Sequence, residues 1–314
     1  MKNNNIVITI LIVIAIGVAI WLLFVDTNGV NNNNGDKLTV GATIFPLYDI
    51  TREIAGSSAD VIQILPAGAS PHTYELTPSD IKNLDGADTV FKIGNSLDDW
   101  ADDITDSLDD VTVKSVDSGI TLIKFADEHE HEHGDEHEDE EHEHEHGDHD
   151  PHYWLSVDNA KKIANNIATQ LKTSDPDNAD NYETNLNSYL EELDELKTEV
   201  KESLSSIESP AIITFHDSYA YFAEEFGITI AGVFQVSPGT EPTPGQLTEL
   251  QELVDEYSVP ALFSEPQMSD DVIKPFADDV ELPVYEMDPL GGVSGRQSYV
   301  ELIKYNADTI INAY

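Results

Sequence analysis

Residues 177–207 read DNADNYETNLNSYLEELDELKTEVKESLSSI, with apolar side chains at Tyr182, Leu186, Tyr189, Leu193, Leu196, Val200, Leu204 and Ile207. The steps between them are three or four residues, the period of a helix that buries one stripe. No Gly or Pro interrupts the run. It predicts one long helix over roughly 178–208, and its neighbours on either side decide the fold.

Before it, KLTVGATIFPLYDITREIAG (37–56) reads as strand then helix, and ADVIQILPAG (59–68) as a second strand. TPSDIKNLDGADTVFKIG (77–94) reads as helix then strand, with Thr77 as cap and Asp80 three residues on. SVDSGITLI (115–123) closes this part. After the long helix, AIITFHD, ITIAGVF, ALFSEP and LPVYEMDPLG read as strands, alternating with the helices SYAYFAEEFG, TPGQLTELQELVDEYSV and SDDVIKPFADDV. Strands that alternate with helices form parallel sheets. The expected architecture is α/β, two Rossmann-like lobes at 38–177 and 209–314 joined by the long helix. A rigid helical connector of this kind limits hinge opening.

Composition excludes several functions. The 314 residues carry 61 acids against 15 bases, a net charge of −46. Such a surface repels nucleic-acid phosphates and attracts cations. The segment 127–150 holds 14 of the acids, so 47 acids still face the 15 bases outside it. There is no cysteine, which excludes thiolate metal sites, thiol catalysis and disulfides. Any metal must be held by histidine and carboxylate.

Residues 6–25, IVITILIVIAIGVAIWLLFV, are apolar apart from Thr9. Twenty residues at ~1.5 Å rise reach about 30 Å, the thickness of a bilayer core. Lys2 precedes the segment and Asp26 follows it, which places the N-terminus in the cytoplasm and the rest outside. Segment 1–26 is therefore expected to be an uncleaved signal anchor, and the Asn-rich stretch 27–37 a flexible tether.

The chain has 11 histidines, eight of them in the tract DEHEHEHGDEHEDEEHEHEHGDHD (127–150): His129, His131, His133, His137, His142, His144, His146 and His149. The tract has no apolar residue, so it cannot pack and is expected to be a mobile loop. Histidine at nearly every second position among carboxylates binds divalent metal weakly, in many similar geometries. The three remaining histidines, His72, His152 and His216, each follow a predicted strand or open a loop. In an open α/β sheet, ligands bind outside the carboxyl ends of the strands. Three imidazoles with a carboxylate or water form a four-coordinate zinc set. Asp288, in YEMDPLGG, is a candidate fourth ligand. Glu265, in LFSEPQ, either competes for that place or orients a histidine from behind.

GASPHTYELTPSD (68–80), DPHYWLSVDNA (150–160), ITFHDSYAYFAEEFG (213–227), LFSEPQ (262–267) and MDPLG (287–291) occur in this order across residues 38–314. With the long helix and the His/acid insertion, they resemble the zinc-binding solute receptors of ABC importers, the ZnuA-like proteins of the TroA-like family. The resemblance implies one metal ion in the cleft between the lobes. His72, His152 and His216 would hold it, with Asp288 as possible fourth ligand. It also implies transfer of Zn(II) to an ABC transporter permease, with no catalysis, by a chain that acts as a monomer. Manganese-binding relatives tend to carry Glu where this chain has His216, which favours zinc. The family is usually delivered by a cleaved signal or a lipidated cysteine, and the apolar segment here departs from both.

Three other readings stay open. A manganese receptor differs only in its cargo. A zinc hydrolase would also use three histidines and an open position, with Glu265 the one nameable base. A metal-buffering or adhesive surface protein would make the tract dominant and the cleft secondary.

Overall fold

The structure is a computed structural model that describes residues 37–125, 149–235 and 242–314. The predicted anchor, nearly all of the tether and most of the histidine tract lie outside these residues. Among the described residues, no helix is long and apolar enough to cross a membrane.

The first lobe runs β1 (Leu38–Ala42), α1 (Phe45–Ala55), β2 (Ala59–Gln63), α2 (Pro78–Asn83), β3 (Thr89–Lys92), α3 (Ile104–Ser107) and β4 (Thr112–Ser115). Two long helices follow, α4 (Val157–Ser174) and α5 (Ala179–Leu204). The second lobe runs β5 (Ala211–His216), α6 (Ala220–Phe226), β6 (Thr229–Gln235), α7 (Pro244–Tyr257), β7 (Leu262–Ser264), α8 (Asp270–Asp279), β8 (Val284–Glu286) and α9 (Tyr299–Ala313). The sheets have the strand orders β2-β1-β3-β4 and β6-β5-β7-β8, and every neighbouring pair is parallel. The two lobes thus repeat one topology. Each sheet reverses its winding direction beside its first strand, between β1 and β3 and between β5 and β7.

Local sequence explains the elements. β5, AIITFH, is buried along its whole length, the apolar run expected of a strand covered on both faces. At the start of α2, the Thr77 hydroxyl accepts from the Asp80 N–H and the Asp80 carboxylate accepts from the Thr77 N–H, a reciprocal pair of caps. Gly227 ends α6 with φ +73°, a conformation that glycine adopts without strain.

The apolar stripe of the opening stretch is the buried face of α5: Tyr182, Leu186, Tyr189, Leu193, Leu196, Val200 and Leu204. It packs against α1 and α4 on one side and α9 on the other. One apolar cluster therefore runs continuously from Val40 and Ile50, through α5, to Ile212, Phe263 and Tyr299 in the second lobe. Smaller clusters cover the outer face of each sheet.

Polar ties reinforce this weld. The Asp49 carboxylate in α1 accepts from the Tyr299 N–H at 2.7 Å, at the start of α9. The Trp154 indole donates to the Pro289 carbonyl at 2.8 Å, and the Tyr299 hydroxyl donates to the Trp154 carbonyl at 2.8 Å. The Tyr153 hydroxyl also donates to the Ile93 carbonyl at 2.7 Å, so the segment that carries His152 is fixed to both lobes.

Candidate metal centre

Three separate chain segments bring His72, His152 and His216 together, and one ligand nitrogen from each lies within 4.8 Å of the other two. His216 is the last residue of β5 and sits at the winding reversal of the second sheet, where ligands of open α/β sheets bind. His72 lies in a 3₁₀ turn, Pro71–Thr73, whose Pro71 carbonyl accepts from the Trp100 indole at 3.0 Å. His152 precedes the 3₁₀ turn Tyr153–Leu155, and its ring lies 5.2 Å from that of Trp154, centroid to centroid. Tyr153 and Trp154 are buried beneath it.

The ring nitrogens divide into two sets. The Nε2 atoms of His72 and His152 approach to 3.3 Å. A tetrahedral zinc with Zn–N bonds of about 2.1 Å holds neighbouring ligand nitrogens about 3.3–3.4 Å apart. The spacing therefore fits one shared cation. The other face of each buried ring meets a carboxylate. His152 Nδ1 is 2.7 Å from Asp150 Oδ1, and His216 Nδ1 is 3.3 Å from Glu265 Oε2. A carboxylate behind a histidine fixes the tautomer and leaves Nε2 to a metal. Glu265 is itself held by the Ser218 hydroxyl at 2.8 Å.

Burial sets the electrostatics. His152, His216, Asp150 and Glu265 are all at most 5 % exposed, whereas His72 is half-buried. Burial pushes the Asp150 carboxyl up to about 7, against the opposing pull of the His152 N–H and of His216. Burial and the Asp150 charge push Asp217 up to about 6. Burial lowers the pKa of His216, but the carboxylates of Glu265, Asp217 and Asp150 together outweigh it and the net shift is upward. A dication at the Nε2 face would sit among groups that favour positive charge.

Asp288, just past the carboxyl end of β8, is buried. Its Oδ1 accepts from the Leu290 and Gly291 N–H groups at 2.9 and 3.0 Å, and its Oδ2 lies 3.0 Å from Arg296 Nε. Neither Asp288 nor Glu265 belongs to the group of converging ligand atoms. Of the tract histidines, His149 is described and forms an antiparallel bridge with Lys124. The other seven lie outside the described residues. Asp150, Ser218 and Arg296 are not among the site residues that the sequence suggests. The Asp-x-His spacing was the one local signal for Asp150. Nothing local marks the other two, which act across β-strand ends.

Two parallel-sheet lobes closed over buried imidazoles make the scaffold of a solute-binding receptor. Residues 40–313 match the family described as ZnuA, zinc-uptake complex component A, periplasmic, and the chain belongs to that family of metal ABC transporter substrate-binding proteins. The manganese ABC transporter substrate-binding lipoprotein PsaA of Streptococcus anginosus is 32 % identical over 88 % of this chain and 89 % of its own. The high-affinity zinc uptake system protein ZnuA of Bacillus subtilis is 31 % identical over 91 % of this chain and 90 % of its own. A crystal structure of ZnuA superposes with a TM-score of 0.76 at 28 % identity, covering 88 % of this chain and 99 % of the other. The relatives thus carry the names of both zinc and manganese systems, and the family defines a receptor for a divalent metal.

Proposed function

We propose that this chain captures Zn(II) on His72, His152 and His216 and hands it to the permease of an ABC importer on the outer side of the membrane. The observation that carries this reading is the 3.3 Å approach of two Nε2 atoms beside a third buried imidazole, with carboxylates behind two of the three rings. Three imidazoles suit zinc, whereas manganese prefers more oxygen ligands. The fourth position belongs to water or a mobile carboxylate, which leaves a route for release. The chain acts as a monomer without turnover, retained by the apolar segment 6–25. The tract 127–150 gathers metal beside the cleft, held near it by the chain.

Calorimetric titration with zinc and manganese tests this. The samples are the chain, the chain lacking 127–149, and that deletion with His216→Ala. One tight zinc site that survives the deletion and disappears with the alanine change is the expected result. Loss of all tight binding on deletion would instead make the protein a metal-buffering tract on an α/β body. The manganese reading has its own support in the names of several relatives, such as PsaA. Tighter binding of manganese than zinc by the deleted form would establish it.

A further inference from the structure

Residues 125–148 separate Lys124 from His149 in the sequence, yet these two residues form an antiparallel bridge. One step further in, Ile123 and Asp150 stand opposite each other, and the Asp150 N–H donates to the Ile123 carbonyl at 2.9 Å. In an antiparallel ladder a pair of this kind exchanges two hydrogen bonds. The second bond here is not direct. The Ile123 N–H donates to the Tyr221 hydroxyl at 2.9 Å, and that hydroxyl donates to the Asp150 carbonyl at 2.8 Å. Tyr221 is thus inserted into the ladder as a relay.

Tyr221 comes from the second lobe. It lies in α6, shortly after His216 in the chain, and is 4 % exposed. With Phe222 and Phe226 it belongs to the apolar cluster shared by both lobes, and Ile123 packs against that cluster. α6 is tied to the long helices through Glu225, whose Oε1 lies 2.9 Å from Lys197 Nζ in α5. Burial pushes the Tyr221 hydroxyl up to about 12, so it keeps its proton and donates. Beyond the relay, Asp150 Oδ1 holds the backbone and the ring of His152. Asp150 Oδ2 has no hydrogen-bond partner among the described residues, so the placement of this carboxylate rests on its main chain, which Ile123 and Tyr221 hold. One hydroxyl therefore joins the segment after one candidate ligand, His216, to the segment before another, His152.

We propose that Tyr221 is a positioning residue for the metal site: its hydroxyl pins the two ends of segment 125–148 together and so sets Asp150, and through it His152, for the metal. The proposal rests on the three-histidine reading and adds to it a residue that touches no metal. Joining the ends of a long segment costs entropy that grows with its length. The direct backbone bond at 123–150 offsets little of this. The hydroxyl adds two further bonds and anchors both ends to the second lobe. When the ends part, His152 loses its carboxylate partner, and the apparent affinity falls with the fraction of molecules still paired. Phenylalanine at 221 would keep the ring and leave the N–H and the carbonyl without their shared partner.

The test reads zinc affinity by chelator competition together with amide hydrogen exchange. It uses the full chain and a chain whose residues 126–147 are replaced by Asn-Gly, the turn of two-residue hairpins. The shorter connection favours pairing of the ends on the order of ten-fold. In the full chain, Tyr221→Phe is expected to lower zinc affinity about ten-fold. It should also speed exchange at the Ile123 and His152 amides by a larger factor than at Leu193. In the short-turn chain the same substitution should cost less than about three-fold, because the ends stay paired without the hydroxyl. Unchanged affinity in the full chain overturns the proposal. So does an equal loss in both chains, which is what a tyrosine that only fills space would give. Should Tyr221→Phe fail to fold by circular dichroism, the parent decides. Coupling is reciprocal, so one equivalent of zinc should slow exchange at Ile123 in the parent and not in His152→Ala. Exchange at Ile123 that zinc leaves unchanged in the parent, or slows equally in His152→Ala, overturns the proposal. Tight zinc retained by His152→Ala is a different failure, that of the three-histidine site itself, and it removes this proposal as well.

Discussion

One oxygen of Asp150 holds His152 twice, accepting from its backbone N–H at 2.8 Å and meeting its ring Nδ1 at 2.7 Å. The residue two positions earlier therefore sets both the backbone and the ring of a candidate ligand, and the intervening Pro151 stiffens the link. Asp150→Ala should lower zinc affinity by about 10–100-fold, the usual effect of removing the partner behind a metal-bound histidine. Asp150→Asn, which keeps an acceptor oxygen, should lose less. Chelator competition on the two variants gives the ranking, and equal affinities for both would show that Asp150 does not orient the ring.

Glu265 does the same for His216 and also raises its pKa. A raised pKa means that the protonated ring is favoured, so protons compete with metal at a higher pH than the ordinary value of about 6.5. Zinc affinity should thus begin to fall above that value as the solution is acidified. Glu265→Gln removes the charge and should move the onset to lower pH, while weakening binding at the alkaline end. Zinc affinities measured between about pH 5 and 8 read both effects at once. An onset that does not move would break the proposed coupling.

The Thr77–Asp80 caps at the start of α2 make a second, independent pH prediction. Burial raises the Asp80 pKa, but the bonds from Thr77 and Tyr74 outweigh it and the net shift is downward. A depressed carboxylate contributes stability that is present above its unfolded pKa and is lost as pH falls through the folded one. Thr77→Ala should therefore cost about 0.5–2 kcal/mol at neutral pH. The difference from the parent should shrink once Asp80 is protonated. Thermal melts at neutral pH and at a series of pH values below the ordinary carboxylate range compare the two.

Leu193 is fully buried at the middle of α5, inside the cluster shared by both lobes. Leu193→Ala should destabilise the protein by about 2–5 kcal/mol. Because the cluster is continuous, both lobes should melt together, in one calorimetric transition for parent and variant alike. Two resolved transitions would mean that the lobes are energetically separate despite the shared core.

Much of the architecture was legible in the sequence because it depends on local periodicity. The α5 stripe from Tyr182 to Leu204 appears in the sequence at helical spacing and is the buried face of the helix. The alternation of buried runs such as AIITFH with amphipathic helices specified parallel sheets. The three histidines outside the tract could be singled out because each lies at the end or start of such an element. The resemblance carried by the ordered motifs pointed to the same family that the comparisons show.

What lay across the chain was not legible. Asp288 stands in a motif that invites a ligand reading, and its contacts with Leu290, Gly291 and Arg296 are visible only in the folded chain. Glu265 meets His216 and Ser218 only because β5 and β7 are neighbours in the sheet. Spacing along a chain fixes which face a residue occupies on its own helix or strand, since that follows from backbone geometry alone. Which side chains from different elements meet, and whether a buried carboxylate faces a metal or a guanidinium, follows from how the sheets pack. The sequence by itself determined the lobes, the connecting helix and the histidines worth examining. Only the tertiary structure decided that three of them converge and which carboxylates stand behind them, because desolvation and charge pairing act through space.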